Sequence, residues 1–147
     1  MATKLEFSVA VGPVGHGESW PEYYVTLDER ILDFGTLTKP KQIDFNVDLE
    51  DGVHTINVGL KNKVDTDTIV VGGTIVNDKA VIVTGISIEG YELDDFMHRA
   101  TYFPMGRDSL KSNYLGWNGE WTLEITTPIF TWIHETQQLG WVYEKNI

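Results

Sequence analysis

The sequence predicts an all-β fold, an antiparallel β-sandwich or jelly roll with one short C-terminal helix. Three observations predict it. Apolar residues alternate with polar ones along much of the chain, which is typical of half-buried strands. Turn residues recur about every 8 to 12 positions, a spacing that is typical of sandwiches. Near the end the apolar period lengthens to that of a helix. We expect the 147 residues to form one β-sandwich domain, 1–147.

The first half of the chain contains four clear strand patterns. Their alternating apolar residues are Leu5, Phe7, Val9 and Val11; Tyr23, Val25 and Leu27; Ile43, Phe45, Val47 and Leu49; and Ile56, Val58 and Leu60. The stretch GPVGHGESWPE between the first two patterns predicts an irregular loop. Asp51-Gly52 between the last two predicts a hairpin turn.

The second half continues with short strands and ends in a helix. IVVGGTIVNDKAVIVTGISIEGYEL holds three β-branched runs, and Gly85 inside the last of them predicts a bulge or a bend. DDFMHRATYFPM predicts a helical turn followed by an extended segment. Thr127 and Pro128 fit the N-cap and first residue of a helix, and Gly140 fits its end. One face of this helix consists of Ile129, Trp132 and Ile133.

Composition excludes several classes of function. The formal net charge is -11 and the pI is about 4.6, so nucleic acids and anionic membrane surfaces would repel the protein. The chain has no cysteine, which excludes disulfides, thiolate nucleophiles and cysteine-ligated metals. No apolar run approaches the roughly 18 to 20 residues that span a bilayer. We therefore expect no nucleic-acid partner, no membrane insertion and synthesis in a cytoplasm.

The aromatic stretch SNYLGWNGEWTLEITT, residues 112–127, admits two interpretations. In the first, Tyr114 and Trp117 form a platform that stacks against a sugar, and Asn118 hydrogen-bonds its hydroxyls. In the second, Asn118-Gly119 is a two-residue turn and Trp121 points into the core, because large aromatic residues dominate small cores. The residues alone leave Tyr114 and Trp117 open to either interpretation.

Two further tryptophans lie in irregular segments. Trp20 is in the glycine-rich loop, and Trp141 is in the C-terminal segment LGWVYEKNI. Exposed tryptophans commonly anchor protein–protein interfaces. Trp20 and Trp141 are therefore candidate partner-binding residues. The alternative is that each packs onto its own sandwich.

The sequence nominates no catalytic residue. It contains no nucleophile elbow, phosphate loop or H-E-x-x-H motif, and its four histidines are scattered. Asp65 and Asp67 in VDTDT, with Asp94 and Asp95 further along the chain, are the candidate metal ligands, for calcium; solvated loop carboxylates are the simpler interpretation. We therefore expect a non-enzyme with no cofactor, calcium being the one cofactor that the pattern allows.

Two blocks of the sequence resemble known families. DGVHTINVGLKNK followed by AVIVTGISIEGYEL resembles the paired strands of small carbohydrate-binding β-sandwich modules, including the calcium-dependent xylan-binding type. The resemblance implies that the histidine-led strand and the later I-x-I-x-G strand are neighbours in one sheet. It also implies glycan binding on exposed tryptophan and tyrosine, assisted by calcium.

The second block is YLGWNGEWTLEITTPIFTWIHE, with GYELDDFMHRATYFP upstream. It resembles small proteins encoded by large tailed phages, notably those of marine and cyanobacterial hosts. The resemblance implies a virion structural protein: a capsid decoration, collar or tail-fibre-associated sandwich. Such a protein would associate with itself, with other virion proteins and with host surface glycans. We take the virion role as the first functional hypothesis and the carbohydrate-binding module as its alternative.

Overall fold

The protein is described here by a computed structural model of residues 3–135, with only the backbone of residues 94 and 95. Along these residues the strands are β1 (Thr3–Val14), β2 (Glu22–Leu27), β3 (Arg30–Thr36), β4 (Lys41–Leu49), β5 (Gly52–Leu60), β6 (Ile69–Val71), β7 (Thr74–Asn77), β8 (Ala80–Ile88), β9 (Tyr91–Glu92), β10 (Thr101–Pro104), β11 (Tyr114–Leu115) and β12 (Gly119–Thr127). Short 3-10 turns cover Asp65–Asp67 and Asp94–Arg99. A helix, α1, covers residues 129–135.

The strands form two five-stranded sheets and a separate hairpin. The first sheet has the order β11-β8-β1-β4, with β9 beside β8, and the second has the order β10-β12-β5-β2-β3. Every strand pair is antiparallel. The predicted antiparallel β-sandwich with one short C-terminal helix is confirmed. No helix of the described residues is long and apolar enough to cross a bilayer.

The core lies between the two sheets and is built from the alternating residues of both. Phe7 from the first sheet and Tyr23 from the second are almost fully buried. Trp121 of β12 is only 1% exposed, so its interpretation as a core residue is confirmed. The hairpin β6–β7 stands apart from this core. Its exposed aliphatic residues are Ile69, Val70, Val71, Ile75 and Val76.

The helix α1 packs onto the sandwich through the face that the sequence predicts. Ile129 and Ile133 are buried, and the half-buried ring of Trp132 lies 5.3 Å from that of Phe96. Thr127 is not an N-cap. It ends β12, and its hydroxyl donates to the Glu50 carbonyl at 2.6 Å instead of accepting from the helix. The predicted end at Gly140 lies outside the described residues.

Two predicted hairpin turns are in fact crossings between the sheets. Asp51-Gly52 joins β4, which pairs with β1, to β5, which pairs with β2 and β12. Asn118-Gly119 leads from β11 of the first sheet into β12 of the second. Turn residues report a local change of direction, whereas distant strands decide which edges are available for pairing.

Two predictions concern strand β8, and one of them is confirmed while the other is wrong. The pairing of β8 with β1 shifts register where Ala10 faces Gly85 and Val11 faces Val83, so a bulge lies at this glycine as predicted. The expectation that β5 and β8 are neighbours is wrong, because β5 belongs to the second sheet and β8 to the first. The similar alternation of the two strands gives no information about which sheet each one joins.

Candidate functional site

The solvent-facing side of the second sheet, called the outer face below, carries a row of aromatic and polar residues. The strand register places one residue from each strand of this sheet side by side. In order across the sheet they are Phe34, Tyr24, Gly59, Glu120 and Phe103. Phe34 is 65% exposed and Phe103 is 51% exposed. Aromatic rings this open to solvent on a sheet face are candidates for contact with a ligand.

Gly59 allows the ring of Tyr24 to lie flat across the sheet. A Cβ atom at Gly59 would come within 2.0 Å of the Tyr24 ring, so any other residue would displace it. The Tyr24 hydroxyl donates to Oε1 of Glu120 at 2.8 Å. Burial and this carboxylate both raise the pKa of Tyr24, so its hydroxyl remains a donor at neutral pH.

Beyond this row the outer face is covered by hydroxyl and amide groups. Thr122 donates its hydroxyl to Oδ1 of Asn57 at 2.8 Å, and Asn57 donates Nδ2 to the hydroxyl of Thr26 at 3.1 Å. These bonds cross from β12 through β5 to β2 and link the polar side chains of the three strands. The result is a polar floor between aromatic side chains.

Two clefts follow β12 along the outer face and share Phe103. The first, of about 440 Å³, is lined by Val53, Arg99, Thr101, Phe103, Thr122, Glu124, Thr126 and Trp132. The second, of about 560 Å³, is lined by Tyr24, Leu60, Lys61, Phe103, Met105, Asn118, Gly119 and Glu120. Together they form what we call the outer groove. From Gly119 to Thr126 it extends for roughly 23 Å at about 3.3 Å per residue.

The first cleft contains polar groups that are not used by the fold. Within residues 3–135, the side chains of residues 94 and 95 aside, the exposed side chains of Arg99 and Glu124 have no hydrogen-bond partner. The half-buried ring of Trp132 lines the same cleft. Sites for small molecules combine apolar and aromatic walls with a few polar groups that fix orientation. The outer groove has this composition.

The first sheet presents a different surface on its solvent side. The outward positions of β1 and β4 carry Lys4, Glu6, Ser8, Ala10, Gln42, Asp44, Asn46 and Asp48. Gln42 donates Nε2 to Oδ1 of Asp44 at 2.9 Å, so some of these side chains bond one another. Neither strand has an aromatic residue at these positions. The exposed rings of this sheet, Tyr91 and Tyr114, lie instead on its short strands β9 and β11. The row that includes Phe34 and Phe103 makes the outer face of the second sheet the candidate functional surface.

A second group of polar and aromatic residues lies at what we call the loop end, formed by residues 15–21, 61–68, 77–79 and 114–118. Tyr114 is exposed and donates its hydroxyl to Oδ2 of Asp78 at 2.5 Å. Trp117 is half-buried, and the guanidinium of Arg107 lies 4.7 Å from its ring centre. The predicted platform residues are thus partly accessible and already engaged with neighbours.

Asn118 holds two segments of the loop end together. Its Oδ1 accepts from the Lys63 backbone N–H at 2.7 Å, and its Nδ2 donates to the Lys63 carbonyl at 2.8 Å. A sugar hydroxyl would have to compete with these two backbone bonds. The predicted glycan-binding role of Asn118, with Tyr114 and Trp117, stays a prediction.

Trp20 folds back onto its own loop. Its Nε1 donates to the Gly17 carbonyl at 3.0 Å, and a Cβ atom at Gly15 would come within 2.3 Å of its ring. The half-buried ring therefore depends on a glycine at position 15. The predicted role of Trp20 in binding a partner stays a prediction, and Trp141 lies outside the described residues.

The two predicted metal ligands have different surroundings. Asp65 is exposed, whereas Asp67 accepts from the hydroxyl of Ser19 at 3.2 Å and from the Val64 N–H at 2.8 Å. Asp67 also forms an ion pair with Lys79 at 3.2 Å. Burial alone would raise the pKa of Asp67, but these donors lower it below its ordinary value. Both oxygens of Asp67 are therefore in use.

A second ion pair completes what we call the lysine–aspartate network, formed by Lys63, Lys79, Asp67 and Asp78. The ammonium of Lys63 donates to Asp78 and, at 2.8 Å, to the Lys79 carbonyl. Burial alone would raise the pKa of Asp78, but Lys63 and the hydroxyls of Tyr114 and Thr68 lower it to about 2. Sequence reasoning missed Lys63, Lys79 and Asp78.

Two solved structures have a similar fold. The first is the carbohydrate-binding module vCBM60 in complex with galactobiose, with a TM-score of 0.51, 16% identity, and coverage of 80% of this chain and 95% of that one. The second is a SeMet form of vCBM60, from work on circular permutation between two families of calcium-dependent carbohydrate-binding modules. It has a TM-score of 0.52, 17% identity and coverage of 80% and 88%. This chain shares the fold of these modules.

No protein-family model and no curated sequence matches the chain. The two similar structures agree with the resemblance to carbohydrate-binding sandwiches. They give no support to an origin in a phage virion. The virion role, the virion location, the partners among virion proteins, self-association and the absence of catalysis stay predictions.

The calcium-dependence named for one of these structures can be tested against the residues present here. Calcium takes six to eight oxygen ligands. Within residues 3–135, the side chains of residues 94 and 95 aside, no three His, Asp or Glu side chains converge on a point where a metal ion could bind. Asp67 and Asp78 bind ammonium groups instead. The predicted pair Asp65 and Asp67 does not fit calcium in this arrangement.

Proposed function

We propose that this protein is a non-catalytic glycan-binding module whose ligand lies along the outer groove. The observation that supports the proposal is the groove itself, which combines the rings of Phe103, Trp132 and Tyr24 with uncommitted polar groups. The fold shared with a module bound to galactobiose supports the same function. Binding a glycan in this way requires no catalytic residue.

Each part of the groove has a task in binding. The apolar C–H faces of sugar rings pack against the exposed face of Phe103 and the half-buried ring of Trp132. The guanidinium of Arg99 donates to sugar hydroxyls and the carboxylate of Glu124 accepts from them, and neither first breaks a bond within the described residues. The open groove allows the ligand to extend beyond both clefts. This arrangement suits an internal stretch of a polysaccharide better than a single sugar.

The charge of the protein restricts the class of glycan. With a net charge of -11, the protein repels polysaccharides that are rich in uronic acids or sulfate. We therefore expect neutral glycans to bind more tightly than anionic ones of equal length. Galactobiose and longer neutral galactans are the first ligands to test, because the similar module was solved with galactobiose.

Replacing Phe103 with alanine is expected to weaken glycan binding about tenfold, since a good ring contact contributes up to about 1.5 kcal/mol. Affinity is measured by calorimetry on a neutral glycan first selected from an array. The matched control is Phe130→Ala, which removes a ring that is 50% exposed but lies on α1, outside the groove. We expect the control to bind like the wild type.

Two outcomes would contradict the proposal. One is an array on which no glycan binds. The other is full affinity in Phe103→Ala together with lost affinity in Trp117→Ala, which would place the ligand at the loop end. In that case Tyr114 and Trp117 would form the stacking platform that the sequence alone suggests.

A further inference from the structure

The loop end holds two cationic groups in its interior. Lys63 is 4% exposed and Lys79 is 7% exposed. The Lys63 ammonium contacts a carboxylate oxygen of Asp78 and the Lys79 carbonyl, at 2.8 Å for the latter. The Lys79 ammonium lies 3.2 Å from Oδ2 of Asp67. Carboxylate and backbone carbonyl oxygens are the atoms that calcium takes as ligands in proteins.

We propose that Lys63 and Lys79 are built-in cations of the loop end, so that neither its stability nor glycan binding by this protein depends on calcium. The statement about stability rests on the geometry of the lysine–aspartate network alone. The statement about binding rests, in addition, on the proposed function. Calcium-dependence, which is named for the similar module, would then not extend to this chain.

Charge balance supports the proposal. Each ammonium is paired with one carboxylate, so the network of two lysines and two aspartates is neutral. A calcium ion that bound Asp67 or Asp78 would displace an ammonium and leave it buried without a counter-ion. Breaking a buried ion pair in this way is strongly destabilising. The two ion pairs therefore oppose calcium binding at Asp67 and Asp78.

The position of the network explains why a cation is needed there. Asp78 also accepts from the hydroxyls of Thr68 and Tyr114, at 2.7 and 2.5 Å, and Asp67 accepts from Ser19 at 3.2 Å. The two carboxylates thus connect the loops on either side of β6–β7 with β11 and with the loop before β2. Without positive charge among them, the two buried carboxylates would be left uncompensated.

The direct test is the melting temperature of the wild-type protein in EDTA and in millimolar calcium. We expect the same value in both. A ligand that binds only the folded state raises the melting temperature by several degrees once its concentration greatly exceeds its Kd. A rise of that size in calcium, or a fall in EDTA, would overturn the proposal.

The second test removes one internal cation. Lys63→Met keeps most of the unbranched side chain and removes the ammonium group, and we expect the melting temperature to fall by about 10 °C. The matched control is Lys61→Met, in which the lost lysine is exposed and lies 5.8 Å from the ring of Phe34. An unchanged melting temperature in Lys63→Met would contradict the role of Lys63. If that variant does not fold, the melting temperature of the wild type in EDTA and in calcium still tests the proposal.

The binding statement is tested by repeating the glycan titration in EDTA. Equal affinity in EDTA and in calcium is the expected result, and affinity that requires calcium would overturn it. If no glycan binds under either condition, the proposed function fails. The two melting experiments still test the built-in cations, because they need no glycan.

Discussion

Replacing Trp121 with alanine is expected to lower the free energy of unfolding by about 3–5 kcal/mol. The Trp121 side chain is 1% exposed and lies between the two sheets. It faces Tyr102 of β10 on one side and Val58 of β5 on the other. Because the sandwich cannot collapse around so large a cavity, both the lost burial and the empty volume destabilise the fold. Urea denaturation followed by circular dichroism measures the loss.

The matched control is Trp117→Ala, which removes the same side chain from the loop end. Trp117 is half-buried and its ring contacts the Arg107 guanidinium, so we expect a loss of only about 1 kcal/mol. Similar losses in the two variants would mean that the ring of Trp121 does not fill the core. That result would contradict the two-layer packing described above.

Replacing Asp78 with alanine is expected to lower the free energy of unfolding by about 3 kcal/mol. The change leaves the ammonium of Lys63 buried without its carboxylate, and it also removes the acceptor of Tyr114 and Thr68. Chemical denaturation at neutral pH measures the effect. Asp65→Ala is the control, since Asp65 is exposed, and we expect a change within about 0.5 kcal/mol. Equal effects would argue against a network centred on Asp78.

The same pair of variants gives a second readout in acid. The pKa of Asp78 is lowered from 3.8 to about 2, so its stabilising contribution is fully present above the ordinary pKa and is lost as the pH falls through about 2. The stability difference between the wild type and Asp78→Ala should therefore narrow across this range. A difference that stays constant down to pH 2 would contradict the lowered pKa.

The strands and their buried faces could be predicted from the sequence because alternation is a local property. Val47 and Leu49 of β4 are buried, as are Leu123 and Ile125 of β12, and all four alternate with polar residues. The same alternation also predicted that Trp121 points into the core, and it made no such prediction for Trp117. It could not assign strands to sheets, because the partners of each strand are set by residues far away in sequence.

The outer groove could not be predicted because its parts come from distant segments. Tyr24 and Glu120 are 96 residues apart in sequence and meet only through the pairing of β2, β5 and β12. One local signal was present: Gly59 lies inside a predicted strand, between Val58 and Leu60, and a glycine in such a position often marks the close approach of another group. No local sequence pattern predicted the burial of Lys63 and Lys79, because lysine is ordinarily a surface residue.

The most direct test of glycan binding in the outer groove is a nuclear magnetic resonance titration of the full chain with a neutral galacto-oligosaccharide. Backbone amides of β10 and β12 are expected to shift, above all those of Phe103, Glu120, Thr122 and Glu124, while those of β1 and β4 stay in place. Shifts confined to the loop end around Tyr114 and Trp117, or no shift at saturating sugar, would contradict the account.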